Sequence, residues 1–326
     1  MDNREKTLAL LIADKDEYVS GERLSCELGV SRTAVWKDIC ALRDEGFIIE
    51  ARSRAGYLYI SSPDILNATE LKVRNPLWNF TVFDEIGSTN TAARNLADEN
   101  AREKTIVLAR SQTVGRGRFA RHYESPRDKG IWMSVLLRPS CELQEATLFT
   151  VYAAVALNNV FERICGVRTG IKWINDMLLN GRKMVGILTE ASSEGEMSTL
   201  RHIVIGIGIN VGQTEDDFPP ELRQTATSLY RETGVQFKRS DIISALCSEI
   251  DKIYRNGHVD GHKELIEAYR RDLCMLGSKI SIFKTNGAEQ SGLALDIDDS
   301  GALIVMLEDG TKTTLNSGEI SIRNII

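Results

Sequence analysis

The spacing of apolar residues changes character along the chain, and the changes divide it. Over the first 46 residues the rhythm is helical. Thr7, Leu8, Leu10 and Leu11 open a short amphipathic helix, and a second begins at Gly21, turns Leu24 and Leu28 inward and stops at Gly29. A third spans 31–46, with Ser31 as its N-cap, Val35, Ile39 and Leu42 on one face and Gly46 at its end. The stretches 47–51 and 57–60 then read as a hairpin whose tip is Arg52-Ser53-Arg54-Ala55-Gly56, and Pro63 ends the second strand. Beyond it come apolar runs suited to buried strands, at 80–86, Thr105–Ala109, Gly130–Leu137 and 202–210, with a helix at 148–164. A hairpin over 170–190 turns at Asn180-Gly181. From about Met275 short strands return, including Lys279–Phe283 and 302–306, with turns at Asn286-Gly287, Ser300-Gly301 and Asp309-Gly310. The pattern predicts an α+β protein of three domains, 1–62, 63–273 and 274–326: a winged helix-turn-helix, a mixed sheet with helices and a small β-barrel.

Composition narrows the partners. A chain of 326 residues with net charge -6 lacks the broad basic surface of a non-specific nucleic-acid binder and leaves room only for a local DNA contact. Residues 1–62 hold nine Lys/Arg against eleven Asp/Glu, so placement must make that contact. The placement is suggestive: Arg32, Thr33, Trp36 and Lys37 lie outward beside Ser31 near the start of the third helix, and Arg52 and Arg54 mark the wing tip. A single module of this size reads few bases, which predicts a dimer on a two-part operator. Six cysteines lie far apart, arguing against a zinc site or a disulfide framework. No apolar run approaches the roughly 20 residues a bilayer requires, so the expectation is a soluble cytoplasmic protein without a membrane partner.

Candidate chemistry collects in the middle domain. The loop 111–130 carries Gln112, then Arg116, Arg118, Arg121 and Arg127, with Gly115 and Gly117 among them. Guanidinium forks suit carboxylate or phosphate, and glycine lets the backbone approach a ligand. Ser88, Thr89 and Asn90 stand where a strand gives way to a helix; one should cap it, and three exceed what a cap needs. Asn175 and Asp176 interrupt a strand, and Lys183 follows the tight turn, which brings it back toward them. The strand 202–210 alternates isoleucine with His202, Val204, Gly206, Gly208 and Asn210, leaving a face against which a flat molecule could lie. Its glycines do not form a dinucleotide fingerprint, since the third falls at 212 rather than 211, and no phosphate-loop motif is present. No Ser/His or Cys/His nucleophile is apparent. His258 and His262 have metal-ligand spacing, but Gly257 and Gly261 argue against a helix there, and no metal site is expected. Without a nucleophile, chemistry must work by positioning and neutralising charge, and clustered cations suit joining a carboxylate to a phosphate.

Across essentially its whole length the sequence resembles the biotin protein ligases of the bifunctional kind that also repress transcription. Six features carry the resemblance in order: the winged helix, Ser88-Thr89-Asn90, Gln112 with Gly115-Arg116-Gly117-Arg118 and Arg121, Lys172-Trp173 with Asn175-Asp176, Lys183-Met184-Val185-Gly186-Ile187, and Gly206-Ile207-Gly208-Ile209-Asn210. It implies a class II synthetase-like central domain and an SH3-like C-terminal barrel. The implied reaction uses biotin, ATP and Mg2+: biotinyl-5'-AMP forms, and its acyl group passes to a lysine of a biotin carboxyl carrier domain of acetyl-CoA or a related carboxylase. By position, Ser88, Thr89, Asn90, Gln112, Gly115, Arg116, Gly117, Arg118, Lys183, Gly186, Gly206 and Gly208 would bind biotin. Arg118, Arg121, Lys172, Asn175, Asp176 and Asn210 would serve ATP, and Lys183, Arg118 and Asp176 would be catalytic. The resemblance also implies a biotin operator and a homodimer when the adenylate is bound. Departures are Ile174 where proline is common, Phe119-Ala120 for Arg-Gly, and Tyr123 where tryptophan is usual. A ligand-sensing repressor without ligase activity and a lipoate-protein ligase are the alternatives.

Overall fold

The computed structural model describes residues 1–193, 199–283, 289–316 and 319–322. Three helices open the chain, α1 (Asn3–Ala13), α2 (Gly21–Leu28) and α3 (Arg32–Asp44). Their starts are set by side chains: Asp2 and Glu5 form a reciprocal box, Ser20 accepts from the Arg23 amide at 3.1 Å and Ser31 from Ala34 at 3.2 Å. Gly29 ends α2 at φ 66, a left-handed turn that glycine adopts freely. Leu8, Leu11, Leu24, Val35, Ile39 and Leu42 then close a core with Phe47 and Ile49. The wing is β1 (Ile48–Arg52) paired antiparallel with β2 (Gly56–Ser61). Gly56 is forced to be glycine, at φ 115 with the Val19 carbonyl oxygen 2.1 Å from where a Cβ would stand.

The middle of the chain builds α4 (Ala68–Arg74), β3 (Asn79–Phe83), α5 (Thr89–Asp98), β4 (Thr105–Ala109), β5 (Gly130–Leu137), α6 (Ala146–Val160), β6 (Gly170–Lys172), β7 (Asp176–Leu179), β8 (Arg182–Ser193) and β9 (Leu200–Asn210). The strands make one seven-stranded sheet in the order β3-β4-β5-β9-β8-β7-β6, parallel only between β3 and β4. α6 is largely apolar because it is buried nearly all round, beneath the sheet and against α8 (Arg239–Ile253) and α9 (His262–Asp272), which follow a short α7 (Leu229–Thr233). Its last turn continues as a π-helix, Phe161–Cys165. Ile203, Ile205, Ile207 and Ile209 of β9 enter this large core, as the alternation predicts. On the opposite face Val204 packs with Ala93 and Ala97 of α5, so that helix lies on the sheet with its N-terminus pointing along β9 toward the glycines.

Lys279–Phe283 begins a five-stranded antiparallel sheet with Glu289–Ile297, Leu303–Leu307, Lys312–Leu315 and Glu319–Ile322. Ile280, Ile282, Leu303 and Val305 share the main core, and Trp173 donates its indole N–H to the Gly301 carbonyl at 2.9 Å. Gly301 and Gly310 take positive φ at the expected turns, and the turn at 286–287 lies outside the described residues. Among the described residues no helix is long and apolar enough to cross a membrane.

Candidate functional site

The chain leaves β3, passes Gly87 and starts α5 against the glycine face of β9. Ser88 occupies the N-cap position, yet no side chain of this triplet caps the helix. The first free amide, on Thr89, instead donates to Gln112 Oε1 at 2.8 Å, so a residue from the loop performs the capping expected of Ser88, Thr89 or Asn90. Gln112 Nε2 donates to Ser125 Oγ at 2.9 Å, and Ser125 donates to the Tyr123 carbonyl at 3.1 Å. Asn90 is held just as firmly. Its Nδ2 donates to the Leu188 carbonyl at 3.2 Å and Glu190 Oε2 at 2.8 Å, while Ser134 Oγ lies 2.6 Å from its Oδ1.

The bare face anticipated on β9 exists and is covered by the protein's own flat groups. A Cβ on Gly206 would stand 2.2 Å from Asn90 Oδ1, and one on Gly208 would stand 2.5 Å from the Tyr123 ring. Gly186, paired with Gly208, also meets that ring. The Tyr123 hydroxyl donates to the Gly208 carbonyl at 2.9 Å. Burial, then the nearby Asp176 carboxylate, push this hydroxyl far above its ordinary range, so it stays a donor. What remains is a crevice of about 50 Å³ lined by Ser88, Thr89, Asn90, Gln112, Arg116, Gly117, Arg118, Lys183, Gly186, Gly206 and Gly208. Gly115 stands apart from it. Its carbonyl accepts from the Tyr123 amide at 2.9 Å, and its bare Cα lies under the Tyr123 carbonyl.

Beside the crevice opens a cleft of about 840 Å³, lined among others by Arg121, Lys172, Asp176, Lys183, Asn210 and Gln213. Lys183 borders both spaces. Its backbone is clamped, donating to Thr225 O at 2.8 Å and accepting from Thr227 at 2.9 Å. Its ammonium lies 2.7 Å from Asp176 Oδ1 and 5.7 Å from the centre of the Tyr123 ring. The expected approach of Lys183 to Asp176 is therefore present, through the β7–β8 hairpin. Arg118 donates to Asn175 Oδ1 at 3.3 Å, and Asn175 Nδ2 donates to the Ile187 carbonyl at 3.2 Å. Asn210 spends its amide internally, on Thr227 O at 3.0 Å and Gln213 Nε2 at 2.8 Å. The Trp173–Ile174 peptide is cis.

One member of the arginine loop leaves the cluster. Arg127 pairs with Asp84 at the root of the loop, where Arg110 bridges Asp84 at 2.8 Å and also holds Asp128. Hydrogen bonds from Arg127 and Arg110, respectively, hold the Asp84 and Asp128 carboxyls below their usual range. The expected partner of all four guanidiniums is thus, for Arg127, a carboxylate of the protein. His262 corrects another expectation: it opens α9 despite Gly261, and its Nδ1 lies 2.8 Å from the Tyr152 hydroxyl, while His258 is on a separate two-residue strand.

In the N-terminal unit Arg32, Thr33, Trp36 and Lys37 are exposed along one side of α3, Trp36 by 55%. The Ser31 hydroxyl is occupied by its cap. Arg54 is exposed at the wing tip, and Arg52 stacks 5.0 Å over Tyr18.

Residues 82–210 match the biotin/lipoate A/B protein ligase family, 3–58 an HTH domain and 280–323 the biotin protein ligase C terminal domain. The bifunctional ligase/repressor BirA of Bacillus spizizenii is 40% identical over 313 residues, 95% of each chain. The chain belongs to the bifunctional biotin ligase/repressor family. BirA of Escherichia coli is 27% identical over 98% of this chain and 97% of its own. The biotin protein ligase of Aquifex aeolicus, solved in complex with biotin and ATP, superposes with a TM-score of 0.61 at 26% identity, covering 75% of this chain and 98% of that one.

Within this family's pattern the tyrosine at 123 still supplies an aromatic ring to the glycine wall, and Phe119 is exposed at φ 56 on the loop tip. Three polar residues at the site lay outside the sequence motifs. Ser134 is a lone hydroxyl inside a fully buried strand opposite Gly206, Glu190 lies beyond the Lys183 motif, and Gln213 follows Asn210 by three. For Ser134 the available signal was a polar residue interrupting the apolar run Gly130–Leu137.

Proposed function

We propose that this protein joins biotin to ATP as biotinyl-5'-AMP, transfers biotin to a lysine of a biotin carboxyl carrier domain, and represses transcription through its winged helix when the adenylate is bound. The observation that carries the reading is the position of Lys183. Its ammonium stands where the crevice, lined by polar side chains and bare glycines, meets an open charged cleft, 2.7 Å from Asp176. A vitamin with its ureido ring in the crevice would direct its carboxylate to that junction, and the cleft suits a nucleotide. In the first step a carboxylate oxygen attacks the α-phosphorus and pyrophosphate leaves. Lys183 would offset the negative charge shared by the carboxylate and the phosphoryl group, a role worth about 10²–10³ in rate for a single well-placed donor. In the second step the carrier lysine's amine attacks the acyl carbon and AMP leaves, and Asp176 would be the carboxylate at the junction to take the amine's proton. Asp176 in the cleft, together with the nucleotide's own phosphates, suits Mg2+, which commonly needs only one or two protein carboxylates. Arg116, Arg118 and Arg121 would close over the activated acyl group and phosphates; Lys172, Asn175 and Asn210 would flank the nucleotide.

The regions 1–62, 63–273 and 274–326 would divide these tasks. The side of α3 carrying Arg32, Thr33, Trp36 and Lys37 suits a major groove and Arg54 a phosphate, and a homodimer would span the two halves of a biotin operator. The deciding assay measures pyrophosphate release and labelling of a carrier domain. Both should require biotin and ATP together. Tight biotin binding without pyrophosphate release would replace the ligase by a sensor, and preference for lipoate would replace the substrate. Operator footprinting with and without biotin tests the repressor half.

A further inference from the structure

We infer that Ser134, backed by Asn90 and Glu190, is a positioning residue that sets the direction of hydrogen bonding in the crevice, so that Thr89 and Gln112 both face a ligand as acceptors. Ser134 is fully buried in β5, with its Oγ 2.6 Å from Asn90 Oδ1 and 2.8 Å from Thr89 Oγ1. It has one proton to give. The Asn90 amide is oriented by its far end, which meets two acceptors, Leu188 O and Glu190 Oε2, and must be the NH2 group. The end facing Ser134 is then a carbonyl that can only accept, and takes the Ser134 proton. Ser134 must in turn accept from Thr89.

Thr89 also has one proton and two oxygens within reach, Ser134 Oγ at 2.8 Å and Gln112 Oε1 at 3.1 Å. Gln112 is oriented as Asn90 is, since its NH2 group donates to Ser125, whose own proton goes to Tyr123 O. Its Oε1 already receives the Thr89 amide at 2.8 Å, whereas Ser134 Oγ has no other donor among the described residues. The Thr89 proton therefore goes to Ser134. Two acceptor oxygens, Thr89 Oγ1 and Gln112 Oε1, are left 3.1 Å apart without a proton between them, an arrangement relieved by an N–H from outside. The occupant that fits is one that donates through N–H groups, and a cyclic urea supplies two. This deepens the biotin reading and rests on it.

The test compares wild type with Ser134→Ala, which frees the Thr89 proton to turn toward Gln112. The expected result is a biotin KM raised about tenfold, the loss of one hydrogen bond, with kcat and the KM for ATP unchanged. Carbamate analogues of biotin, each with one ring N–H replaced by oxygen, probe the polarity itself. Wild type should discriminate against at least one of them, and Ser134→Ala should lose about tenfold of that discrimination. Ser134→Cys, which keeps a proton in nearly the same shape, should recover part of both effects and serves if the alanine variant does not fold. An unchanged biotin KM overturns the inference, as does equal weakening of biotin and both analogues, or a folded Ser134→Cys that discriminates no better than alanine. If wild type does not ligate biotin at all, the functional reading has failed instead.

Discussion

The crevice and the cleft share one roof, the loop 111–130, and are built on opposite plans. In the crevice the amides of Asn90 and Gln112 and the hydroxyl of Ser134 are bonded to other protein groups, leaving about 50 Å³ of space. The cleft spans about 840 Å³ and collects Lys172, Lys183 and Arg121 with Asp176. Leaving a buried polar group unsatisfied costs about 1–3 kcal/mol, so a pocket that must recognise a neutral ring has to arrange its donors and acceptors before the ring arrives. Charges bordering solvent carry no such demand. A surface ion pair contributes only about 0–1 kcal/mol, and the part-exposed pair of Asp176 with Lys183 lies near that range, so Asp176 can hold Lys183 in place and release it to a more highly charged partner at modest cost. On the proposed function, selectivity would be fixed in one region and electrostatic work held ready in the other.

The sharpest way to break this contrast is Lys183→Ala. Adenylation, followed as pyrophosphate release, should fall by about 10²–10³ or more, with melting temperature moving only a few degrees because Lys183 adds one part-exposed ion pair to the fold. Turnover within tenfold of wild type would leave the junction without its cation. Gly206→Ala comes next in size. Its Cβ would stand 2.2 Å from Asn90 Oδ1, and overpacking of about 1–3 kcal/mol corresponds to a rise of about 5- to 150-fold in the KM for biotin with the KM for ATP unaltered. A variant in which both constants rise together would mean that the two regions are not separately built.

Legibility in the sequence follows the range of the interaction. α2 and α3 could be read because Gly29 and Ser31 and the apolar spacing of each helix are local to it in the sequence. Lys183 could be placed near Asp176 because a two-residue turn fixes the register between them. Capping of α5 by Gln112 could not, since the acceptor comes from 23 residues away and local chemistry favoured Ser88, Thr89 and Asn90. Arg127 looked equivalent to Arg116, Arg118 and Arg121 until the fold brought Asp84 across 43 residues to neutralise it. α8 and α9 have ordinary amphipathic patterns interrupted by charged residues, and what buries them is α6, whose general apolarity does not say which neighbours cover it.

The smallest effect tests the roof rather than either room. Asp128 is held by Arg110, with Arg239 at 3.5 Å, and Arg110 continues to Asp84. The Arg110 hydrogen bonds lower the Asp128 carboxyl below its usual range, so the folded state releases this proton more readily than the unfolded chain does. Its stabilisation is complete above the ordinary aspartate value of about 3.9 and disappears as pH falls through the lower folded value. Asp128→Asn should therefore melt a degree or two below wild type at neutral pH, about what a part-exposed pair contributes. The difference should shrink to nothing in acid. Because the same loop covers crevice and cleft, loosening its root should raise the KM for biotin and for ATP together, by about two- to threefold. A change in one constant alone would assign the loop to a single region, and a stability difference that grew in acid would reverse the sign derived for Asp128.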